Sequence, residues 1–155
     1  MAKNSAGILL YRRREGMVEV LLGHMGGPYW AKKDLGAWSI PKGEYEPGEV
    51  PLAAAKREFE EETGKPVSGE FIELIPLKQA GGKIIHIWAV EGDCDASSVR
   101  SNTFTIEWPP RSGKQQSFPE IDRAEWFPLD VAKEKLTKGQ RGFIGQLERI
   151  LQQPK

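Results

Sequence analysis

Between Glu44 and Glu62 the chain carries seven acids and two bases, a local charge of −5 in a sequence whose 22 basic and 22 acidic residues balance overall. The second half of this segment reads as a helix from about Val50 to Thr63. Pro51 suits a first-turn position, where its missing N–H costs nothing. Leu52, Ala55 and Phe59 follow at i, i+3 and i+7 as one apolar stripe, and Gly64 and Pro66 end the element. On such a helix Glu58, Glu61 and Glu62 fall within an arc of roughly 100°, while Glu60 points away. Like charges at i, i+4 repel, and a helix C-terminus prefers cations, so the arrangement is unfavourable on both counts. A solvated acidic face is one reading. The other is that the three carboxylates converge on a hard divalent cation, Mg²⁺ or Mn²⁺, of the kind usually shared with substrate phosphates.

The remaining pattern places this helix in a mixed sheet with helices packed on it. Ala6 to Arg12 and Met17 to Leu22 read as strands joined by a tight turn at Arg13–Gly16. Ala37 to Ile40 is a short strand stopped by Pro41. Phe71 to Leu77 and Lys83 to Val90 are further strands. Thr103 to Trp108 alternates, with Phe104, Ile106 and Trp108 on one face. Ala124 to Phe127 is a last strand, followed by helices over Leu129–Leu136 and Gln140–Gln152. The 155 residues predict one domain over 1–155. No apolar run approaches the length of a membrane span, and the N-terminus lacks a signal-peptide pattern. A single cysteine, Cys94, leaves no internal disulfide and no multi-cysteine metal site. Two histidines, His24 and His86, leave little for zinc and suit packed, structural positions. A balanced total charge does not suggest a surface that coats long nucleic acid. The expected location is the cytoplasm.

The spacing is more specific than the composition. Gly43 is followed by Glu49 and then by Arg57-Glu58-Phe59-Glu60-Glu61-Glu62-Thr63-Gly64. This resembles the Nudix box of the Nudix hydrolases, here residues 43–65, with Lys65 where the family prefers an aliphatic residue. The preceding Trp38-Ser39-Ile40-Pro41-Lys42-Gly43 and the later Glu125-Trp126-Phe127 are similar to the family as well. The resemblance implies an α/β/α sandwich, that is, an α+β fold with a mixed sheet between helices. It also implies metal-dependent hydrolysis of a nucleoside diphosphate linked to another group, X, by water attack at phosphorus. By the same resemblance Glu58, Glu61, Glu62 and the Gly43 carbonyl would hold Mg²⁺ (Mn²⁺ possible), and Glu49 and Arg57 would form a structural ion pair. The general base varies within the family: a box glutamate, Glu58 or Glu61, or Glu120 on a later loop.

Substrate contacts are expected from Lys42, beside the box, and from Lys32 and Lys33, with Tyr29, Trp30 and Trp108 as aromatic faces for a base. Trp38, Trp88 and Trp126 lie inside strand patterns and read as core. The window Gln79–Gly82 carries neither the proline associated with ADP-ribose hydrolysis nor the tyrosine of some dinucleoside polyphosphate hydrolases. The layout is similar to MutT-like and diadenosine-polyphosphate-hydrolase-like members. The expected partner is a small nucleotide, the expected state a monomer or homodimer. Nucleotide-sugar or RNA 5′-end hydrolysis, and a binding module without catalysis, are the alternatives. The long connection Glu91–Asp122 is expected to contain an extra strand and to act as a substrate-side flap.

Overall fold

The computed structural model describes residues 3–152. Its main sheet is built on β1 (Asn4–Arg14), which pairs antiparallel with β2 (Met17–Met25) through the tight turn at Glu15 and Gly16. On its other edge β1 runs parallel to β7 (Ile84–Glu91) over eight residue pairs, from Asn4 opposite Ile84 to Tyr11 opposite Glu91. The sheet continues outward from β2 to β10 (Ile121–Pro128) and from β7 to β5 (Ile72–Glu73). The short strands β3 (Trp38–Ser39) and β4 (Lys42–Glu44) lie where β1 and β2 diverge: β3 pairs with Gly23 and His24 of β2, β4 with Ser5, Ala6 and Gly7 of β1.

Helices cover both faces. Helix α1 (Pro51–Thr63) buries Ala54, Ala55 and Phe59 against Ala6, Ile8, Leu10, Leu21, Trp88 and Val90. On the other face α2 (Leu129–Lys135) and α3 (Arg141–Gln152) bring Ala132, Phe143, Ile144 and Leu147 against Leu9, Tyr11, Leu22, Ile85 and Ile87. Successive side chains of a strand point to opposite faces, so β1 serves both cores with alternate residues. The expected sandwich is observed. No described helix is long and apolar enough to cross a membrane.

Three elements differ from the sequence reading. Beyond Pro41, which stops β3 as expected, a further strand, β4, forms where a loop was expected, and the chain passes from β2 to β1 at that point. The strand expected over Phe71–Leu77 is broken into β5 and β6 (Leu77–Lys78). Pro76 has no N–H to give a ladder, and the backbone N–H and C=O of Ile75 turn instead to the Gln146 side chain, at 2.7 and 3.0 Å. The expected strand at Thr103 is present as β8 (Thr103–Glu107), but it pairs only with β9 (Gln115–Pro119), forming a separate two-stranded sheet.

Candidate functional site

Helix α1 ends cleanly: Gly64, at φ 75°, donates its N–H to the Glu60 carbonyl at 2.7 Å. The turn before this cap carries the carboxylates. Glu58 is buried, at 8% exposure, and lies against Gly43 of β4; a Cβ built on Gly43 would sit 2.1–2.2 Å from the Glu58 carboxylate. Glycine is required there because the strand backbone and the carboxylate share one space. Glu62 accepts the Lys42 backbone N–H at 3.2 Å. Around these two carboxylates opens a cleft of about 320 Å³ lined by Ser5, Lys42, Gly43, Glu44, Glu58, Glu62, Lys83, Asn102 and Glu120.

The cleft's electrostatics follow from its burial. Desolvation raises the Glu62 pKa to about 8, against a weaker opposite pull from the Lys42 N–H. Glu58 is raised to about 7, first by burial and then by the negative charge of Glu61. Lys42 moves the other way: burial, reinforced by the positive charge of Lys83, lowers its pKa. Two carboxylates that resist ionisation, one of them crowded against a backbone glycine, are the donor set that a hard cation relieves. The residues therefore fit a divalent metal ion.

A carboxyl whose pKa rises on folding binds more protons folded than unfolded. Without metal, the contribution of Glu58 and Glu62 to stability is accordingly greatest below the ordinary carboxylate range and declines as pH climbs toward 8. Thermal unfolding of the metal-free protein should give a lower melting temperature at pH 8.5 than at pH 5.5, with Mg²⁺ raising it more at the higher pH. An Mg²⁺ effect equal at the two values would contradict this.

The other expected residues divide into those that reach the cleft and those that do not. Glu61 is not among the lining residues; its Oε1 accepts from Arg57 at 3.1 Å. Among the described residues no three His, Cys, Asp or Glu side chains form a ready metal cluster. Arg57 also contacts both oxygens of Glu49, at 3.2 and 3.3 Å, so the expected ion pair is in place and ties the loop before α1 to the helix. Lys32 and Lys33 are exposed and outside the cleft; the Lys33 ammonium stands over the Trp30 ring at 5.2 Å. Trp30 packs partly on the α3-side core. Tyr29, 59% exposed, meets Trp108 edge to face at 5.2 Å, and both lie along the β8–β9 hairpin, away from the lining. Of the tryptophans read as core, Trp38 and Trp88 are buried, whereas Trp126 is half-buried beneath the Arg12 guanidinium.

Four lining residues escaped the sequence reading: Ser5, Glu44, Lys83 and Asn102. The signal was pairing register rather than motif, since Ser5 faces Glu44 across β1–β4. Asn102 and Glu120 are brought together at the base of the hairpin, where the Glu120 N–H donates to the Asn102 carbonyl at 2.9 Å.

His24 is packed, as expected, and it is also a fastener. Fully buried, it places Nδ1 2.8 Å from an Asp122 carboxylate oxygen and Nε2 2.6 Å from the Lys33 carbonyl. Both neighbours are hydrogen-bond acceptors, so the ring's N–H has a partner on either side. It thereby joins the loop carrying Tyr29 to Lys33 to the strand that begins just after Glu120. His24→Leu should cost about 2 kcal/mol, the penalty for stranding these acceptors, read as a lower denaturation midpoint. A neutral result would show that the two bonds are exchanged for water without cost.

A larger groove, about 540 Å³, lies near the far end of β1 beside Arg12, Asp93 and Trp126. Its central cation is already engaged: Arg12 donates to Glu19 and to Asp93, each at 2.9 Å. The carboxylate cleft is the better candidate on chemistry.

The family model described as the NUDIX domain matches residues 1–147. The chain belongs to the Nudix family. Its Nudix box thus corresponds to β4, α1 and the loop between them. Among curated proteins, the chain is 40% identical over 73 residues to an RNA pyrophosphohydrolase of Erythrobacter litoralis, covering 47% of this chain and 39% of that protein. It is 30% identical over 102 residues to an 8-oxo-(d)GTP phosphatase of Mycolicibacterium smegmatis, covering 64% and 26%. The chain thus spans well under half the length of these curated relatives. Among solved structures, it is similar to the C. elegans Ap4A hydrolase in a binary complex, with TM-score 0.63, 21% identity and coverage of 97% and 98%. It is also similar to the NUDIX domain of Shewanella oneidensis NrtR complexed with ADP ribose, with TM-score 0.66, 17% identity and coverage of 97% and 89%. At these identities the structural matches speak to the fold.

Proposed function

We propose that this Nudix protein hydrolyses the phosphoric anhydride of a nucleoside diphosphate linked to X, an NTP or a dinucleoside polyphosphate, by water attack at phosphorus. The observation that carries the reading is the cleft in which Glu58, Glu62 and Glu120 face Lys42 and Lys83. Phosphoryl substitution asks a protein for positioning and charge neutralisation more than for covalent chemistry. Glu58, Glu61, Glu62 and the Gly43 carbonyl would hold Mg²⁺, or Mn²⁺ in its place, which would neutralise the diphosphate and make water a better nucleophile. To join that set, Glu61 leaves Arg57, which stays anchored by Glu49. Lys42 meets a phosphate oxygen as a point charge. Glu120, which lines the same cleft, would accept the proton of the attacking water, with Glu58 or Glu61 as the alternative base. Lys32, Lys33, Tyr29, Trp30 and Trp108 would meet the more distant part of the substrate along the hairpin. On this reading residues 1–155 act as one catalytic domain, in the cytoplasm, as a monomer or homodimer.

The relatives named for 8-oxo-(d)GTP and Ap4A support the nucleotide class. The test is product analysis over a panel of dNTPs, oxidised dNTPs, diadenosine polyphosphates, ADP-ribose and nucleotide sugars, with Mg²⁺ and with chelator. Cleavage of one class by the metal-supplied protein alone is the expected result. Binding of a panel member without turnover would leave a binding module in its place.

A further inference from the structure

Among the described residues, one buried side-chain polar atom has no hydrogen-bond partner, the Ser5 hydroxyl oxygen. Ser5 is fully buried and lines the carboxylate cleft. A stranded buried hydroxyl works against folding, and native chains keep few of them without a use. Packing alone would be served there by alanine, which occupies the next position of the same strand.

The surroundings identify the missing partner. Alternation along β1 puts Ser5 on the face of Leu9 and Tyr11, opposite α1, and the β1–β4 register sets it against Glu44. The neighbouring Glu44 carboxylate is already taken, with Oε2 3.1 Å from the Lys83 ammonium. The hydroxyl could accept from an ammonium, but neither Lys42 nor Lys83 hydrogen-bonds it. What this corner lacks is an anionic oxygen able to accept from a hydroxyl while facing two ammonium groups.

We propose that Ser5 is a substrate-binding residue whose O–H donates to a phosphate oxygen of the bound nucleotide. The inference rests on the hydrolase reading and deepens it. In the free protein the Glu44–Lys83 pair, 50% and 34% exposed at its side chains, includes the residue registered opposite Ser5 and lines the same cleft. Exchange of that pair for a Lys83–phosphate contact opens the space in which the hydroxyl meets its acceptor. The arrangement keeps a polar group dry until the ligand supplies the bond.

The test compares the parent with Ser5→Ala in two measurements. In thermal unfolding without ligand, the variant should melt at the same temperature or about 2–4 °C higher, because a stranded hydroxyl has been removed. In calorimetric titration with ADP and Mg²⁺, its affinity should fall about tenfold, the loss of a hydrogen bond to a charged acceptor. A variant that melts lower would show that the hydroxyl already has a partner, and would overturn the proposal. So would unchanged ADP affinity, which leaves the hydrolase reading intact. ADP binding by neither protein would remove both, whatever the melting curves show.

Discussion

Glu62→Gln is expected to lower turnover about a thousandfold or more while making the metal-free protein more resistant to heat at pH 8. The two signs have one origin. Glu62 is a desolvated carboxylate whose pKa burial raises to about 8, so its charge is an expense to the fold and of use only to a cation. Glutamine keeps the oxygen that accepts the Lys42 N–H and removes the charge. An interaction of several kcal/mol with a metal-supported transition state corresponds to about 10³ in rate, at one decade per 1.36 kcal/mol. Turnover measured with saturating Mg²⁺ and melting curves measured with chelator read the two effects separately. If the variant lost activity and stability together, Glu62 would be a structural acid. If it lost neither, the cleft would have been assigned to the wrong chemistry.

This opposition between stability and use also explains which parts of the site could be read from the chain. Glu58, Glu61 and Glu62 were visible because a helix with three like charges near its C-terminus violates its own local preferences, and such violations collect at functional sites. The Glu49–Arg57 pair was accessible only through the resemblance to the Nudix box. The sandwich was implied by the family resemblance; periodicity alone gave helices with apolar stripes on a mixed sheet, and that β1 alternates between two cores came from the structure. What stayed hidden depends on register. Nothing local to Ser5, Lys83 or Asn102 marks them; they become neighbours because the chain crosses from β3 on β2 to β4 on β1 and because the hairpin closes at Asn102 and Glu120. The break at Ile75 was equally opaque, since it answers to Gln146, a residue 71 positions away. Tyr29 and Trp108 were singled out as separate aromatic faces; that they meet each other, outside the cleft lining, depends on the hairpin's separate sheet.

Phe59→Ala should show the reverse of the Glu62 result: a large loss of stability with much of the chemistry retained in the folded fraction. Phe59 is 1% exposed and packs between α1 and the sheet beside Ile8, Leu10 and Trp88. Truncating a ring in so closed a place removes its transfer energy and leaves a cavity, together about 3–5 kcal/mol. At this chain length each kcal/mol moves the melting temperature by about 2–4 °C, so a fall of roughly 10 °C is expected. The helix is nevertheless held at other points: Ala54 and Ala55 stay buried on the sheet, Thr63 Oγ1 donates to the Phe59 backbone carbonyl at 2.7 Å, and the Gly64 cap is untouched. The backbone bond at position 59 survives the substitution, so the carboxylates keep their spacing wherever the protein remains folded. Turnover per folded molecule, measured well below the lowered melting temperature, should therefore stay within about tenfold of the parent, against the thousandfold expected for Glu62→Gln. A thousandfold loss at a temperature where circular dichroism shows the variant fully folded would mean that Phe59 sets the carboxylate geometry directly, and that α1 has no independent hold on its register.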